Sequence, residues 1–224
     1  MILDFHSHIL PGVDHGSDSL ETSLKQLVLA EKNGISGIVA TSHFYPHSRG
    51  AKSFFERRDD AYRRLCEAKG NIRVKLALGA EVLVCSSIER LPDIDKLCIA
   101  GTQTLLLELP FADFQSEYCR SIYSLVDSGY EVVMAHAERY DTSWIEETLE
   151  AGAKLQLNAK AFSFFNRRRY AHWLEQGDVV AIGSDIHGAD PRSYKQFRAA
   201  ARIAEHYAQI VDFSDGVWNR AIKK

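Results

Sequence analysis

The first eight residues carry a pair of histidines at the end of a short apolar segment. Ile2, Leu3 and Phe5 predict a buried strand, and His6 and His8 follow two residues apart. Because residues i and i+2 of an extended chain point to the same side, the two imidazoles would project together. Imidazole is a common ligand of divalent metal ions. The pair by itself is compatible with a metal site or with a strand end whose histidines only form hydrogen bonds.

Later apolar runs that predict strands also end in histidine or in a carboxylate. With Asp14 from the first loop, the candidates are five histidines and four carboxylates: His6, His8, His43, His136, His187, Asp14, Glu81, Glu108 and Asp185. One zinc ion takes about four ligands, of which a catalytic site supplies three. The set therefore fits two or three ions with a bridging carboxylate. Clustered metal ions suit phosphoester hydrolysis, because they bind the attacking and the leaving oxygen together.

Alternating strands and helices explain how these distant residues would meet. Seven apolar strand segments alternate with helical patterns, except that residues 91–101 after the third strand are irregular, and this alternation predicts a parallel sheet. No linker, repeat or low-complexity stretch interrupts residues 1–224, so we expect one α/β domain, a closed or nearly closed barrel. In barrels of this kind the site lies at the carboxyl ends of the strands.

Capping residues predict where several helices start. Asp18 and Ser143 each precede a glutamate by three residues, a spacing typical of capping boxes. Asp190 precedes Pro191, which favours an N-cap followed by proline at the first helical position. A short closing helix is predicted from Phe213 onward.

Composition excludes several classes of protein. The chain has 224 residues, 46% of them hydrophobic, and a net charge of −3, so neither nucleic-acid binding nor attraction to an anionic membrane is expected. No apolar run approaches the roughly 20 residues that cross a bilayer, and no signal peptide is recognised. The cysteines form no Cys-x-x-Cys pair and indicate reduced thiols of a cytoplasmic protein. They are Cys66, Cys85, Cys98 and Cys119.

Six short motifs, taken in order, resemble the polymerase-and-histidinol-phosphatase (PHP) superfamily. They are His6-Ser7-His8, Thr41-Ser42-His43, Gly79-Ala80-Glu81, Glu108-Leu109-Pro110-Phe111, the stretch 135–139 and Ser184-Asp185-Ile186-His187. Residues 6–14 and 136–140 are similar to the bacterial capsular-polysaccharide protein-tyrosine phosphatases. The resemblance extends from residue 1 to about residue 210.

This resemblance implies a distorted (β/α)7 TIM-like barrel with three metal ions, usually manganese, although iron, zinc and magnesium are alternatives. The implied ligands are His6, His8, Glu81 and Asp185 for one ion, Glu81, Glu108 and His136 for a second, and Asp14, His43 and His187 for a third. Arg139 would contact the phosphate, and Glu108 is counted with it among the catalytic residues. Departures from the family pattern, His15, Phe44, Ala137 and Gly188, remove no implied ligand.

The implied activity is manganese-dependent hydrolysis of phosphotyrosine. The implied partner is a bacterial tyrosine kinase that controls polysaccharide export, and a homo-oligomer remains open. A histidinol phosphatase, a metal amidohydrolase and a non-catalytic metal-binding domain are the alternatives. A cysteine-based tyrosine phosphatase is excluded, because no cysteine has an arginine six residues later.

Some further side chains have two interpretations. His15 is either a ligand or acid beside the metals, or a solvent-exposed loop residue. Asn158 ends a strand and is expected to support the ligands. Phe162, Phe164 and Phe165 would either line a groove for an aromatic substrate or pack a helix on the barrel.

Overall fold

Parallel strands run through the chain from its second residue. The structure, a computed structural model, describes residues 1–47, 50–163 and 166–223. Within them the strands are β1 Ile2–Ser7, β2 Ile35–Ala40, β3 His43–Phe44, β4 Lys75–Leu78, β5 Glu81–Leu83, β6 Thr104–Glu108, β7 Glu131–Met134, β8 Lys154–Asn158 and β9 Val179–Gly183. The helices are α1 Leu20–Lys32, α2 Ala51–Ala68, α3 Ser116–Asp127, α4 Thr142–Glu150, α5 Ala171–Gln176, α6 Pro191–Ala204 and α7 Ala208–Ala221.

The strands form two parallel sheets. One has the order β1-β2-β4 and the other the order β3-β5-β6-β7-β8-β9. The expected parallel α/β architecture is therefore confirmed. A closed barrel is not, because the hydrogen-bonded ladders of the described residues remain two separate sheets. Two of the predicted strands are each broken in two, one between β2 and β3 and the other between β4 and β5.

Apolar strand residues meet the helices in the core. Leu27 of α1, Leu105 of β6 and Phe197 of α6 are fully buried, as expected for parallel strands covered by helices. The closing helix α7 begins before the predicted Phe213. Its Trp218 is almost fully buried and packs so closely on β2 that a side chain at Gly37 would meet the indole ring at 2.6 Å.

The helix starts agree only partly with the predicted caps. The hydroxyl of Ser19, and not the carboxylate of Asp18, accepts the backbone N–H three residues on. The helix α4 starts before Ser143 and has no side-chain cap hydrogen bond, so the predicted capping box is wrong. Asp190 is confirmed as a cap, because its carboxylate accepts hydrogen bonds from two backbone N–H groups of α6.

The remaining predictions concern single side chains and membrane insertion. Phe162 is buried and packs in the core, whereas Phe164 and Phe165 lie outside the described residues. All four cysteines are free thiols. Within residues 1–47, 50–163 and 166–223, no helix combines the length and apolar composition needed to cross a bilayer.

Candidate metal centre

The predicted ligands gather where the parallel strands end. His6 lies in β1, and His43 and Glu81 begin β3 and β5, which pair in register at these two residues. Glu108 ends β6 beside Leu83 of β5. Because neighbouring strands end at one edge of the sheet, side chains from distant parts of the sequence become neighbours. Apart from Asp14, which lies in the loop after β1, the others lie one to four residues beyond the ends of their strands: His8, His136, Asp185 and His187.

The carboxylate of Glu81 lies at the middle of the cluster. Its Oε2 is 3.1 Å from Nε2 of His6 and 3.3 Å from Nε2 of His8. It is also 3.2 Å from Nε2 of His43, while Oε1 lies 2.7 Å from Nε2 of His136. One carboxylate thus faces ligands of all three implied sites: Oε2 faces those of the first and third, and Oε1 faces that of the second. This is the geometry that a bridging carboxylate needs.

Two further carboxylates flank this centre on opposite sides. Asp185 Oδ1 is 3.2 Å from Nε2 of His8 and 3.8 Å from Nε2 of His6. Glu108 Oε1 is 3.6 Å from Nε2 of His136. Asp185 is therefore grouped with the His-x-His pair, and Glu108 with the histidine that follows β7.

Asp14 and His187, two implied ligands of the third ion, both contact His8, an implied ligand of the first ion. Asp14 Oδ2 is 2.9 Å from Nδ1 of His8 and 3.2 Å from Nδ1 of His43. His187 stacks on His8, with ring centroids 4.1 Å apart. Ligand atoms of His8, His43 and His187 lie within 4.8 Å of one another. Among the described residues, no group of possible ligands this close together contains Asp14. Asp14 as a metal ligand remains a prediction.

Burial and neighbouring charges leave Glu81 with a lowered pKa and Glu108 with a raised one. Burial opposes ionisation of Glu81, but His6 and His136 outweigh it and hold the pKa of Glu81 well below its usual range. Burial, and then repulsion from Glu81, raise the pKa of Glu108 to about 7. For His6, burial is outweighed by Glu81 and Asp185, which raise the pKa to about 8. The pKa of His8 is also raised, against the effect of burial, by Asp14, Asp185 and Glu81, so in the absence of metal His6 and His8 carry protons that balance these carboxylates.

Gln156 supports the centre and was missed by the sequence analysis. Its Oε1 accepts hydrogen bonds from Nδ1 of His6 at 3.0 Å and from the backbone N–H of His136 at 3.0 Å. Its Nε2 donates to Asn158 at 2.9 Å, so Asn158 supports the ligands through Gln156. A glutamine between two leucines of a buried strand was the available signal.

Asp4 is a second supporting residue that the sequence analysis missed. It is fully buried in β1, and its Oδ1 accepts the backbone N–H of Ser184 at 2.8 Å and of His6 at 3.3 Å. Burial raises the pKa of Asp4 to about 6. This carboxylate ties β1 to the loop that carries Asp185. A charged residue inside an otherwise apolar strand was the signal.

Two cluster residues have a left-handed backbone. His136 has φ of +34° and Asp185 has φ of +52°. Non-glycine residues seldom adopt this region, and such conformations concentrate at functional sites. Here the unusual backbone turns both side chains into the cluster at the points where their strands end.

Arg139 and His15 both face the cluster. The guanidinium of Arg139 is ion-paired with Asp185 rather than with Glu138 or Asp141, the partners expected for a surface arginine. Its side chain is 39% exposed, so it lies at the edge of the cluster. His15 is exposed, yet its ring stacks on His43 and His187 with both centroid distances at 4.6 Å.

The donor set fits divalent metal ions. His6 and His8 direct their Nδ1 atoms at acceptors, Gln156 and Asp14, so their Nε2 atoms carry the lone pairs. These two Nε2 atoms are 3.1 Å apart. Two such lone pairs repel unless a proton or a metal ion lies beside both. The buried Oε2 atom of Glu81 also has no hydrogen-bond partner among the residues that the structure describes. Nitrogen and oxygen donors with supported imidazoles are typical of manganese, iron and zinc sites.

Fold and site together define a parallel α/β protein with a candidate metal centre at the carboxyl ends of its strands. The chain belongs to the capsular polysaccharide synthesis CpsB/CapC family, whose model matches residues 2–212. The resemblance seen in the motifs is thereby confirmed.

Curated relatives cover most of this chain. It is 26% identical to the tyrosine-protein phosphatase CpsB of Streptococcus pneumoniae, over 92% of this chain and 91% of the relative. It is 28% identical to the tyrosine-protein phosphatase YwqE of Bacillus subtilis, over 86% of this chain and 80% of the relative.

A solved structure shows the same fold. It comes from work on YwqE of Bacillus subtilis and CpsB of Streptococcus pneumoniae, described as unique metal-dependent tyrosine phosphatases. The TM-score is 0.76 at 22% identity, over 96% of this chain and 92% of the other.

Proposed function

We propose that this chain is a metal-dependent protein-tyrosine phosphatase that hydrolyses the phosphate monoester of phosphotyrosine. The observation that carries the proposal is the convergence of four imidazoles on the carboxylate of Glu81. Family membership and the relatives named tyrosine-protein phosphatases support the reaction class.

The proposed cofactor is manganese, with three ions. Their proposed ligands are His6, His8, Glu81 and Asp185, then Glu81, Glu108 and His136, and then Asp14, His43 and His187. When bound, such ions would activate a water molecule and polarise phosphoryl oxygens. Gln156 and Asp14 would keep the Nδ1 protons of His6 and His8 in place, so that each Nε2 is available as a ligand.

Arg139 is the proposed phosphate-binding residue. Its guanidinium lies at the edge of the cluster against Asp185. A planar fork of donors suits two non-bridging phosphoryl oxygens, whose charge it would stabilise during transfer. Glu108 is the second proposed catalytic residue. As a ligand of the second ion its carboxylate would be ionised, so it would act by holding that ion at the phosphate and not by transferring a proton. The phenol leaves with a pKa of about 10, so only modest help from an acid is needed.

We also propose that the two sheets belong to one distorted (β/α)7 barrel formed by a single domain, residues 1–224. Counting β2 with β3, and β4 with β5, as interrupted strands gives seven strands in sequence order. The end of β9 meets β1, where the backbone N–H groups of Ser184 and Asp185 donate to the carbonyl of His6 at 3.1 and 2.9 Å.

The proposed partner is a phosphotyrosine-bearing bacterial kinase of capsular or exopolysaccharide synthesis, in agreement with family membership. The enzyme would act in the cytoplasm, without membrane insertion and without a nucleic-acid partner. A homo-oligomer is compatible with this proposal.

Parallel turnover assays test the function. After loading with Mn²⁺, the protein should hydrolyse a phosphotyrosyl peptide, and a chelator should abolish turnover while thiol alkylation leaves it. Histidinol phosphate and an N-acyl substrate serve as comparison substrates. Turnover of histidinol phosphate alone would overturn the substrate class. Loss of activity on alkylation but not on chelation would overturn the metal-dependent mechanism.

A further inference from the structure

A cavity of about 310 Å³ opens beside the candidate metal centre, between the loop after β1 and the helix α2. Asp14 and His43 form the wall that it shares with the cluster. Phe44 and Phe54 supply an apolar floor, and Arg57 of α2 also lines the cavity. The cavity therefore shares a wall with the site, and among the described residues of its lining Arg57 is the one arginine or lysine.

Within the part of the chain that the structure describes, Arg57 has no acidic partner, unlike Arg58 and Arg64 of the same helix. Its side chain is half-buried, Nη1 donates to the carbonyl of Val13 at 3.2 Å, and Nε donates to the carbonyl of Ser53 at 3.4 Å. Across residues 1–47, 50–163 and 166–223 it forms no ion pair. Arg58 and Arg64 each bind an aspartate at 2.9 Å. A guanidinium has five donors, so most of those on Arg57 are left for a ligand.

The charge of Arg57 is not balanced by the wall opposite it. The carboxylate of Asp14 instead faces the cluster, where its Oδ2 lies 2.9 Å from Nδ1 of His8 and 3.2 Å from Nδ1 of His43. The metal ions proposed above would neutralise it further. An anion in the cavity would give the remaining N–H groups of Arg57 an acceptor and its charge a partner.

We propose that this cavity is a subsite for an acidic side chain of the peptide substrate, bound by the Arg57 guanidinium. The inference rests on the proposed phosphatase function. Asp14 and His43 belong both to the cavity and to the cluster, so a chain with its phosphotyrosine at the metals would bring a nearby side chain into the cavity. The apolar floor suits the methylene groups of glutamate, and the fork of Arg57 suits its carboxylate. The substrate is then a phosphotyrosine with a neighbouring acidic residue.

The test uses phosphotyrosyl peptides that carry glutamate or glutamine at each position flanking the phosphotyrosine. We expect glutamate at one position to lower KM about tenfold, the effect of one charge-assisted hydrogen bond. Arg57→Gln keeps a donor for the carbonyl of Val13 but removes the charge, so the ratio between the two peptides should fall to near one. Arg57→Lys should restore part of the ratio. Arg64→Gln, on the exposed face of α2, should leave it unchanged.

Binding of non-hydrolysable phosphonate versions of the same peptides gives a readout apart from turnover. Their Kd values should show the same glutamate preference in the wild type and its loss in Arg57→Gln, with the melting temperature measured for each variant. A preference that persists in Arg57→Gln, or none in the wild type, would overturn the subsite. If a second phosphorylated residue at that position were preferred over glutamate, the group bound by Arg57 would be a phosphate and not a carboxylate. Absence of turnover with the binding preference intact would instead overturn the proposed phosphatase function and leave the subsite.

Discussion

At the scale of single residues, the side chain of Gln156 orients His6, the first histidine of the His-x-His pair. Its side-chain oxygen accepts from both His6 and the backbone of His136, so one amide orients ligands from two strands. Gln156→Ala should weaken metal affinity about 10–100-fold, as is typical when a group that orients a metal ligand is lost. Titration of the purified apoprotein with Mn²⁺ measures this.

Gln176 supplies a matched control for that experiment, because it ends α5 at an exposed position. Gln176→Ala should bind Mn²⁺ as the wild type does. Equal affinity in the two alanine variants would show that Gln156 only fills space in β8.

Arg139 is tested through catalysis rather than through metal content. Arg139→Ala should lower kcat about 10²–10³-fold, roughly 2.7–4 kcal/mol, because one preorganised donor to the developing charge is lost. Arg139→Lys should restore little, since an ammonium lacks the bidentate fork. Bound metal and melting temperature should stay near those of the wild type. A near-normal kcat in the alanine variant would assign Arg139 to the Asp185 ion pair alone.

At the scale of elements, the end of β9 must pass close to β1. A Cβ at Gly183 would lie 2.5 Å from Cβ of His6 and 2.7 Å from Nε2 of Gln156. Gly183→Ala should therefore displace β9 or the ligand, at a cost of about 1–3 kcal/mol in the free energy of unfolding, the usual cost of overpacking. Weaker Mn²⁺ binding should accompany it.

Gly50→Ala is the control for this prediction. Gly50 precedes α2 with φ of −58°, and an added Cβ would meet no atom of the described residues within 4 Å. Urea unfolding of both variants with and without Mn²⁺ measures the two effects together. If Gly183→Ala matched Gly50→Ala in stability and metal affinity, the close approach of β9 to His6 would have no role in positioning the ligand.

At the scale of the whole molecule, protons and metal ions compete for the same cluster. In the absence of metal, Glu81 and Asp185 raise the pKa of His6 to about 8 against the effect of burial. A histidine whose folded pKa lies above its unfolded value of about 6.5 stabilises the fold fully below pH 6.5. That stability is lost as the pH rises through 8. Glu108, with its pKa raised to about 7 by burial and by Glu81, acts in the same direction.

The free energy of unfolding of the apoprotein should accordingly fall by about 2 kcal/mol between pH 6.5 and pH 8. Saturating Mn²⁺ should remove this fall, because the metal takes the place of the protons. Urea unfolding at several pH values checks both statements. His6→Asn should flatten the profile of the apoprotein, whereas His206→Asn, at an exposed position after α6, should not. A flat wild-type profile would show that His6 is neutral without metal.

The sequence by itself determined which strands carry the candidate ligands. His6 and His8 lie two residues apart, and Glu81 and Glu108 each lie at the carboxyl end of an apolar run. Local periodicity fixes the direction of such side chains, and alternation of strands with helices makes the strands parallel. These two local rules suffice to bring the ends of the strands together at one edge.

Only the tertiary structure decided which atoms of those ligands meet and what holds them. Asp14 lies at the Nδ1 atoms of His8 and His43, Gln156 orients His6, and Arg139 pairs with Asp185. Arg57 is a cation without an acidic partner among the described residues only because of where α2 packs on the loop after β1. Each of these contacts joins segments brought together by strand register and helix packing, which involve the whole chain at once. No local pattern specifies them, because a side chain's partner depends on distances that exist only after the strands have paired.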